Sequence, residues 1–223
     1  MQDTNFKAKA FLFDLNGTMI NDMKFHADAW FNIITKKLGK DISYADVNKE
    51  MYGKNEELLV RVFGENYFTK EQIEEISIEK EKSYQSAFLP ELKLIDGLGE
   101  FLSKAEANEI KMAIGSAAIP FNIDFVLDGL DIRSYFHAIV SAQDVKTSKP
   151  DPETFLNAAL ALRVEAKDCL VFEDVPKGVE SAKRAGMKCI VITTTHIKEE
   201  FEHFDNVLYF VENYHDPILS HLF

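Results

Sequence analysis

The sequence predicts an α/β fold: a doubly wound parallel sheet core with an inserted block of helices. Three observations predict it. From Leu94 onward, short apolar runs alternate with segments of helical pattern, the rhythm of βαβ units. Between about Asp22 and Leu89 the pattern is helical throughout and holds no good strand. The stretch Phe11-Leu12-Phe13-Asp14-Leu15-Asn16-Gly17-Thr18 runs from apolar side chains into a carboxylate, a turn-forming Asn-Gly and a hydroxyl. That suits a doubly buried strand leaving a sheet at its carboxyl edge, where open α/β sheets bind ligands. A chain of 223 residues is long enough for one large domain with an insert. The expected division is residues 1–21 with 90–223 for the core and 22–89 for the helical block.

Composition narrows the function. The net charge is -12 and the pI about 5.0, which argues against nucleic acid or an anionic membrane surface as partner. An anionic substrate then needs local cations. Cys169 and Cys189, the two cysteines, sit in apolar strand-like runs and read as buried, reduced thiols. Met1–Ala10 is polar and carries no apolar leader core, and no run approaches the ~20 apolar residues of a membrane span. The expectation is a soluble, cytoplasmic protein, and a core of this size is compatible with a monomer.

In order, Ala10–Phe13 is the first strand. Phe25, Ala29, Trp30, Ile33, Ile34 and Leu38 recur at helical spacing, closed by Gly39. Glu56–Phe63 and Lys70–Phe88 continue the helical block until Pro90, and their aromatics read as helix-on-helix core. Leu98–Ala107 is a helix, Lys111–Ser116 a strand, Phe121–Leu130 a helix and Ala138–Ser141 a strand. Pro152–Leu162 is a helix with proline at its start. Cys169–Phe172 is a strand ending in Glu173-Asp174. Lys177–Ala185 is a helix closed by Gly186, and Lys188–Thr193 and Val207–Val211 are strands. Parallel strands joined by crossovers point their carboxyl ends one way, so Asp14, Ser116, Lys149 and Glu173-Asp174 fall along one edge. The helical block, entering after the first strand, can lie over that edge.

Asn-Gly beside apolar residues is also a hairpin signal, so the first motif alone leaves hairpin and active site open. An EF-hand loop fails, since it needs more oxygen ligands and a glycine further on. Taken together, the strand ends offer a carboxylate, a hydroxyl, a lysine and two more carboxylates, which is what phosphoryl transfer needs. Asp14 with Asp174 and Glu173 makes an oxygen site suited to Mg²⁺. Lys149 and Ser116 can hold phosphate oxygens, leaving Asp14 free to attack phosphorus.

The four motifs, Asp14-Leu15-Asn16-Gly17-Thr18, Gly115-Ser116-Ala117, Ser148-Lys149-Pro150 and Phe172-Glu173-Asp174-Val175-Pro176-Lys177-Gly178, resemble in order and spacing those of the haloacid dehalogenase superfamily. Within it they resemble the β-phosphoglucomutase-like branch with a small helical cap. The resemblance implies a Rossmann-like core, Mg²⁺ as cofactor, a small phosphorylated metabolite as substrate and a phosphoaspartate on Asp14. It implies metal ligation by the Asn16 backbone carbonyl and the Asp174 side chain, with Glu173 nearby. Gly17, Thr18 and Ala117 would face the substrate, Thr18 also steadying the loop that carries Asp14.

Two departures stand out. Position 16 normally carries the acid that protonates the leaving group and activates water. Asn16 cannot exchange a proton, which commonly costs ~10²–10⁴ in rate. A natural variant of slow or unusual chemistry, an engineered Asp→Asn trap and a non-catalytic binder of phosphorylated ligands all fit. Asn16-Gly17 is also a dipeptide prone to deamidation, a route by which an aspartate would arise. Second, the cap arginine that grips a distal phosphate in β-phosphoglucomutase falls at Glu56, and a cap lysine falls at Tyr52, with Lys54 near. A phosphatase on a sugar phosphate is therefore preferred to a mutase. His26 matches a cap histidine of that branch, and packing is the simpler reading of it and of Trp30. Lys54 and Lys82 are candidates for substrate contact, against a default of surface lysine.

Overall fold

The computed structural model describes residues 6–223; Met1–Asn5, the start of the polar stretch Met1–Ala10, lie outside the described residues. In chain order the elements are β1 (Ala10–Phe13), α1 (Met23–Asn32), α2 (Tyr44–Glu50), α3 (Asn55–Phe63), α4 (Lys70–Phe88), α5 (Leu98–Ala107), β2 (Lys111–Gly115), α6 (Pro120–Gly129), β3 (Ala138–Val140), α7 (Glu153–Leu162), β4 (Cys169–Glu173), α8 (Pro176–Arg184), β5 (Lys188–Ile192) and β6 (Val207–Val211). The chain divides into two compact units. One takes in the chain through Asn21 together with Lys93–Phe223, and the other is Asp22–Leu92.

The first unit is a six-stranded sheet in the order β3-β2-β1-β4-β5-β6, every neighbouring pair parallel. This is the doubly wound α/β arrangement, with its reversal of strand order between β1 and β4. Alternate residues of the central strands feed two cores. Leu12, with its register partners Ala113 and Val171, joins Phe155 and Ala158 of α7 and Val179 and Ala182 of α8. Phe11 and Phe13 face the other way. Phe13 stacks on Phe172 at 4.7 Å between centroids, and Phe11 on Phe101 of α5 at 5.4 Å. Burial on both faces is why these strands read as unbroken apolar runs. Cys169 and Cys189 are free thiols with no exposed surface.

The second unit is all helix. Trp30, Ile33 and Ile34 meet Val47 of α2, Leu58 and Leu59 of α3 and Ile76 of α4 in its core. A π-helical turn over Ile33–Lys37 extends α1. The helix α4 starts on a reciprocal cap: the Gln72 amide donates to Thr69 Oγ1 at 3.3 Å, and the Thr69 amide to Gln72 Oε1 at 2.9 Å.

The structure departs from the sequence pattern at a few places. The helix α2 is unannounced, because Val47 is its one buried residue. The strand β2 stops at Gly115, so Ser116 opens the loop. Pro152 precedes the first turn of α7 instead of occupying it, and α8 begins at Pro176. Among the described residues no helix is long and apolar enough to cross a membrane.

Candidate functional site

The site starts at the strand-order reversal. Phe13 pairs with Phe172, and the Asp14 amide donates to the Phe172 carbonyl at 3.0 Å. Parallel pairing therefore delivers the carboxylates that follow β1 and end β4 to the same edge. Asp14, Glu173 and Asp174 are all buried, and one oxygen from each lies within 4.8 Å of the others. The Lys149 ammonium bridges two of them, donating to Asp14 Oδ1 at 2.6 Å and Glu173 Oε1 at 2.7 Å. Glu173 Oε2 accepts the amides of Asp174 and Val175 at 2.9 and 3.1 Å.

Asp174 is held from two sides. Thr18 Oγ1 lies 3.0 Å from Asp174 Oδ1, and Thr195 Oγ1 lies 2.5 Å from Asp174 Oδ2 and 3.0 Å from the Asp174 carbonyl. Thr194 Oγ1 donates to the Gly17 carbonyl. Gly17 has φ +80°, and a Cβ there would stand 2.1 Å from Asp174 Oδ2, so the turn requires glycine both for its backbone and for this close approach. Its amide donates to the Ile20 carbonyl at 2.8 Å. That nitrogen is the one that would attack Asn16 during deamidation, and this turn holds it elsewhere. The half-buried Asn16 forms an isolated bridge with Ile20 in the same turn.

Ser116 follows β2, two positions past Ile114, the partner of Phe13. It is 1 % exposed, and its Oγ accepts the Ala118 amide at 3.0 Å, while Ala117 beside it is half-buried. Ser148, next to Lys149, is buried, and among the described residues its hydroxyl makes no hydrogen bond.

The electrostatics follow from burying three acids with one ammonium. Burial alone pushes the Lys149 ammonium down, but the Asp14 and Glu173 charges outweigh it and hold the group well above its ordinary range. Burial, then the Glu173 and Asp14 charges, push the Asp174 carboxyl well up, against the pull of the Thr195 and Thr18 hydroxyls. Among the described residues, Asp14, Glu173 and Asp174 gather their carboxyl oxygens around one site beside the Lys149 ammonium. A hard divalent cation with oxygen ligands, such as Mg²⁺, suits it.

His26 and Lys54 belong to the second unit. His26 is buried and stacked on Tyr84 at 3.7 Å between centroids. Its Nδ1 lies 2.6 Å from Lys80 Nζ and its Nε2 3.2 Å from Asp22 Oδ2. Tyr84 donates to Asp22 Oδ2 at 2.6 Å, and Lys80 reaches Glu81 Oε2 at 3.1 Å. Burial pushes the Lys80 ammonium down, against the Glu81 and Asp22 charges. The half-buried Lys54 precedes α3, and Lys82 is exposed. Sequence reasoning passed over Lys80, although it follows Ile76 and precedes Tyr84 and Phe88 at four-residue intervals on the buried face of α4. It also passed over Thr194 and Thr195, polar residues after a strand with no motif to mark them.

The profile of haloacid dehalogenase-like hydrolases matches residues 11–192. Beta-phosphoglucomutase of Bacillus subtilis is 35% identical over 188 residues, 80% of this chain and 80% of that protein. Validoxylamine A 7'-phosphate phosphatase of Streptomyces hygroscopicus subsp. limoneus is 29% identical over 203 residues, 90% of this chain and 92% of the relative. Among solved structures, a family IA, variant 3 hydrolase of Entamoeba histolytica superposes with a TM-score of 0.85 over 96% of both chains at 23% identity. With a match that runs from β1 to the end of β5, the chain belongs to the haloacid dehalogenase-like hydrolases.

Proposed function

We propose that this chain is a Mg²⁺-dependent phosphohydrolase acting on a small phosphorylated metabolite, a sugar phosphate in the first instance. The observation that carries the proposal is the buried cluster of Asp14, Lys149, Glu173 and Asp174 at the carboxyl edge of the sheet. Asp14 is the nucleophile. Its carboxylate attacks phosphorus, the bond to the leaving alkoxide breaks, and a phosphoaspartate forms that water then hydrolyses. Lys149 holds Asp14 and offsets charge on the transferring group, and Ser116 holds a phosphoryl oxygen. Asp14, the Asn16 carbonyl and Asp174 would hold Mg²⁺, with Glu173 nearby, and the metal supplies neutralisation of phosphate charge. Gly17, Thr18 and Ala117 face the substrate, and Lys54 of the second unit is the candidate for substrate recognition, whereas His26 of that unit is engaged by Tyr84, Lys80 and Asp22. The second unit acts as a cap that admits substrate and excludes water.

Asn16 stands where the reaction needs a proton carrier. Phosphate release from sugar phosphates and pyrophosphate, with and without Mg²⁺, tests the reading on this chain and Asn16→Asp side by side. Asn16→Asp is expected to be faster by ~10²–10⁴. Equal rates would remove the role given to position 16. If neither protein turns over any substrate, the hydrolase reading falls and the reading as a non-catalytic binder of phosphorylated ligands gains.

A mutase is the second reading, favoured by the identity to beta-phosphoglucomutase. Glu56, exposed in the first turn of α3, counts against it, since an acid repels the distal phosphate of a bisphosphate intermediate. Isomerisation of a sugar phosphate faster than its hydrolysis would reverse the preference.

A further inference from the structure

We infer that Thr195 is a positioning residue that orients Asp174 as a metal ligand; the inference rests on the metal site proposed above. Asp174 lies at the end of β4 on a short loop, and a lone carboxylate there can rotate about its Cβ–Cγ bond. Two hydroxyls from different parts of the chain fix it. Thr18, after β1, meets Oδ1, and Thr195, after β5, meets Oδ2. Thr195 also lies 3.0 Å from the Asp174 carbonyl, so its hydroxyl spans backbone and side chain of one residue. The neighbouring Thr194 donates to the Gly17 carbonyl, and Gly17 itself packs against Asp174 Oδ2 with no room for a side chain. The segment after β5 thus braces both loops that carry the acidic cluster.

Each carboxylate oxygen has more than one acceptor direction. Filling one on each oxygen with a hydroxyl fixes the plane of the carboxylate and the directions left for a cation. Partners of this kind typically set metal affinity by 10–100-fold. Mg²⁺ demands near-ideal octahedral geometry, whereas Ca²⁺ tolerates irregular ligands. Loosening Asp174 should therefore cost Mg²⁺ more than Ca²⁺.

The test is Mn²⁺ binding to the full chain, followed by electron paramagnetic resonance, with displacement by Mg²⁺ and by Ca²⁺. Wild type, Asp174→Asn, Thr195→Val, Thr195→Ala and Thr195→Ser are compared, each checked for its far-ultraviolet spectrum. Val keeps the shape without the hydroxyl, Ser keeps the hydroxyl without the methyl, and Ala removes both. Thr195→Val and Thr195→Ala are expected to weaken Mn²⁺ about 10–100-fold, with Mg²⁺ displacement weakened more than Ca²⁺. Thr195→Ser is expected to stay within a few-fold of wild type. Wild-type affinity in Thr195→Val beside a loss in Asp174→Asn would overturn the positioning role and leave the metal site standing. So would a loss that follows shape instead of hydroxyl, seen in Ala and Ser but not in Val. Wild type binding no better than Asp174→Asn would overturn the metal site and this inference together.

Discussion

At the residue scale, close approach explains more of the site than any single motif letter. Gly178, inside α8, would place a Cβ 1.9 Å from the Glu173 carboxyl carbon. Gly178→Ala is therefore expected to cost roughly 1–3 kcal/mol, as overpacking of a dense interior does, read as a lower urea midpoint. The Asn16-Gly17 peptide carries a second expectation. With the Gly17 amide committed to Ile20, Asn16 should survive long incubation in the folded protein and convert to aspartate only once urea opens the turn. Peptide mass spectra of the two samples check this, and equal conversion would show that the turn gives no protection. The thiols supply a third. Burial, then the Asp168 charge, raise Cys169 to about 11, while an unfolded thiol titrates near 8.5. A raised folded value means stability is fully present below the unfolded value and is lost as pH rises toward the folded one. Between about pH 8.5 and 11 the protein should lose up to about 1.4 kcal/mol per pH unit through this thiol. Cys169→Ala should show a shallower slope in denaturation curves taken across that range.

At the element scale, caps and register carry the argument. Thr69→Ala removes a hydroxyl that accepts the Gln72 amide, and about 0.5–2 kcal/mol of stability should go with it, measured by chemical denaturation. Strands β1, β2, β4 and β5 were legible in the sequence because burial on both faces removes polar side chains from them. From parallel topology it then follows that Asp14 and Glu173-Asp174 share one edge. The helix α2 was not legible, because one buried residue in seven leaves no periodicity to read. Lys80 was hidden for a different reason. A lysine in a helix reads as surface, and its burial depends on His26 and Trp30, which reach it only through the folded unit. Thr195 was hidden likewise, since its partner Asp174 lies 21 positions earlier in the chain.

At the scale of the whole molecule, one chain runs through two units of different construction. The first holds the sheet, both thiols and the acidic cluster, and the second is helical and interrupts the first between β1 and β2. The single tryptophan, Trp30, is 3 % exposed and lies in the core of the second unit. Emission from that indole accordingly watches the helical unit, while alkylation of Cys169 and Cys189 watches the sheet. Two labels fall by chance of sequence on two different units, so one urea series can follow each separately. Weakening the start of α4 should bring the fluorescence midpoint down, and whether the thiols then become reactive at that same urea concentration tells whether the two units come apart as one.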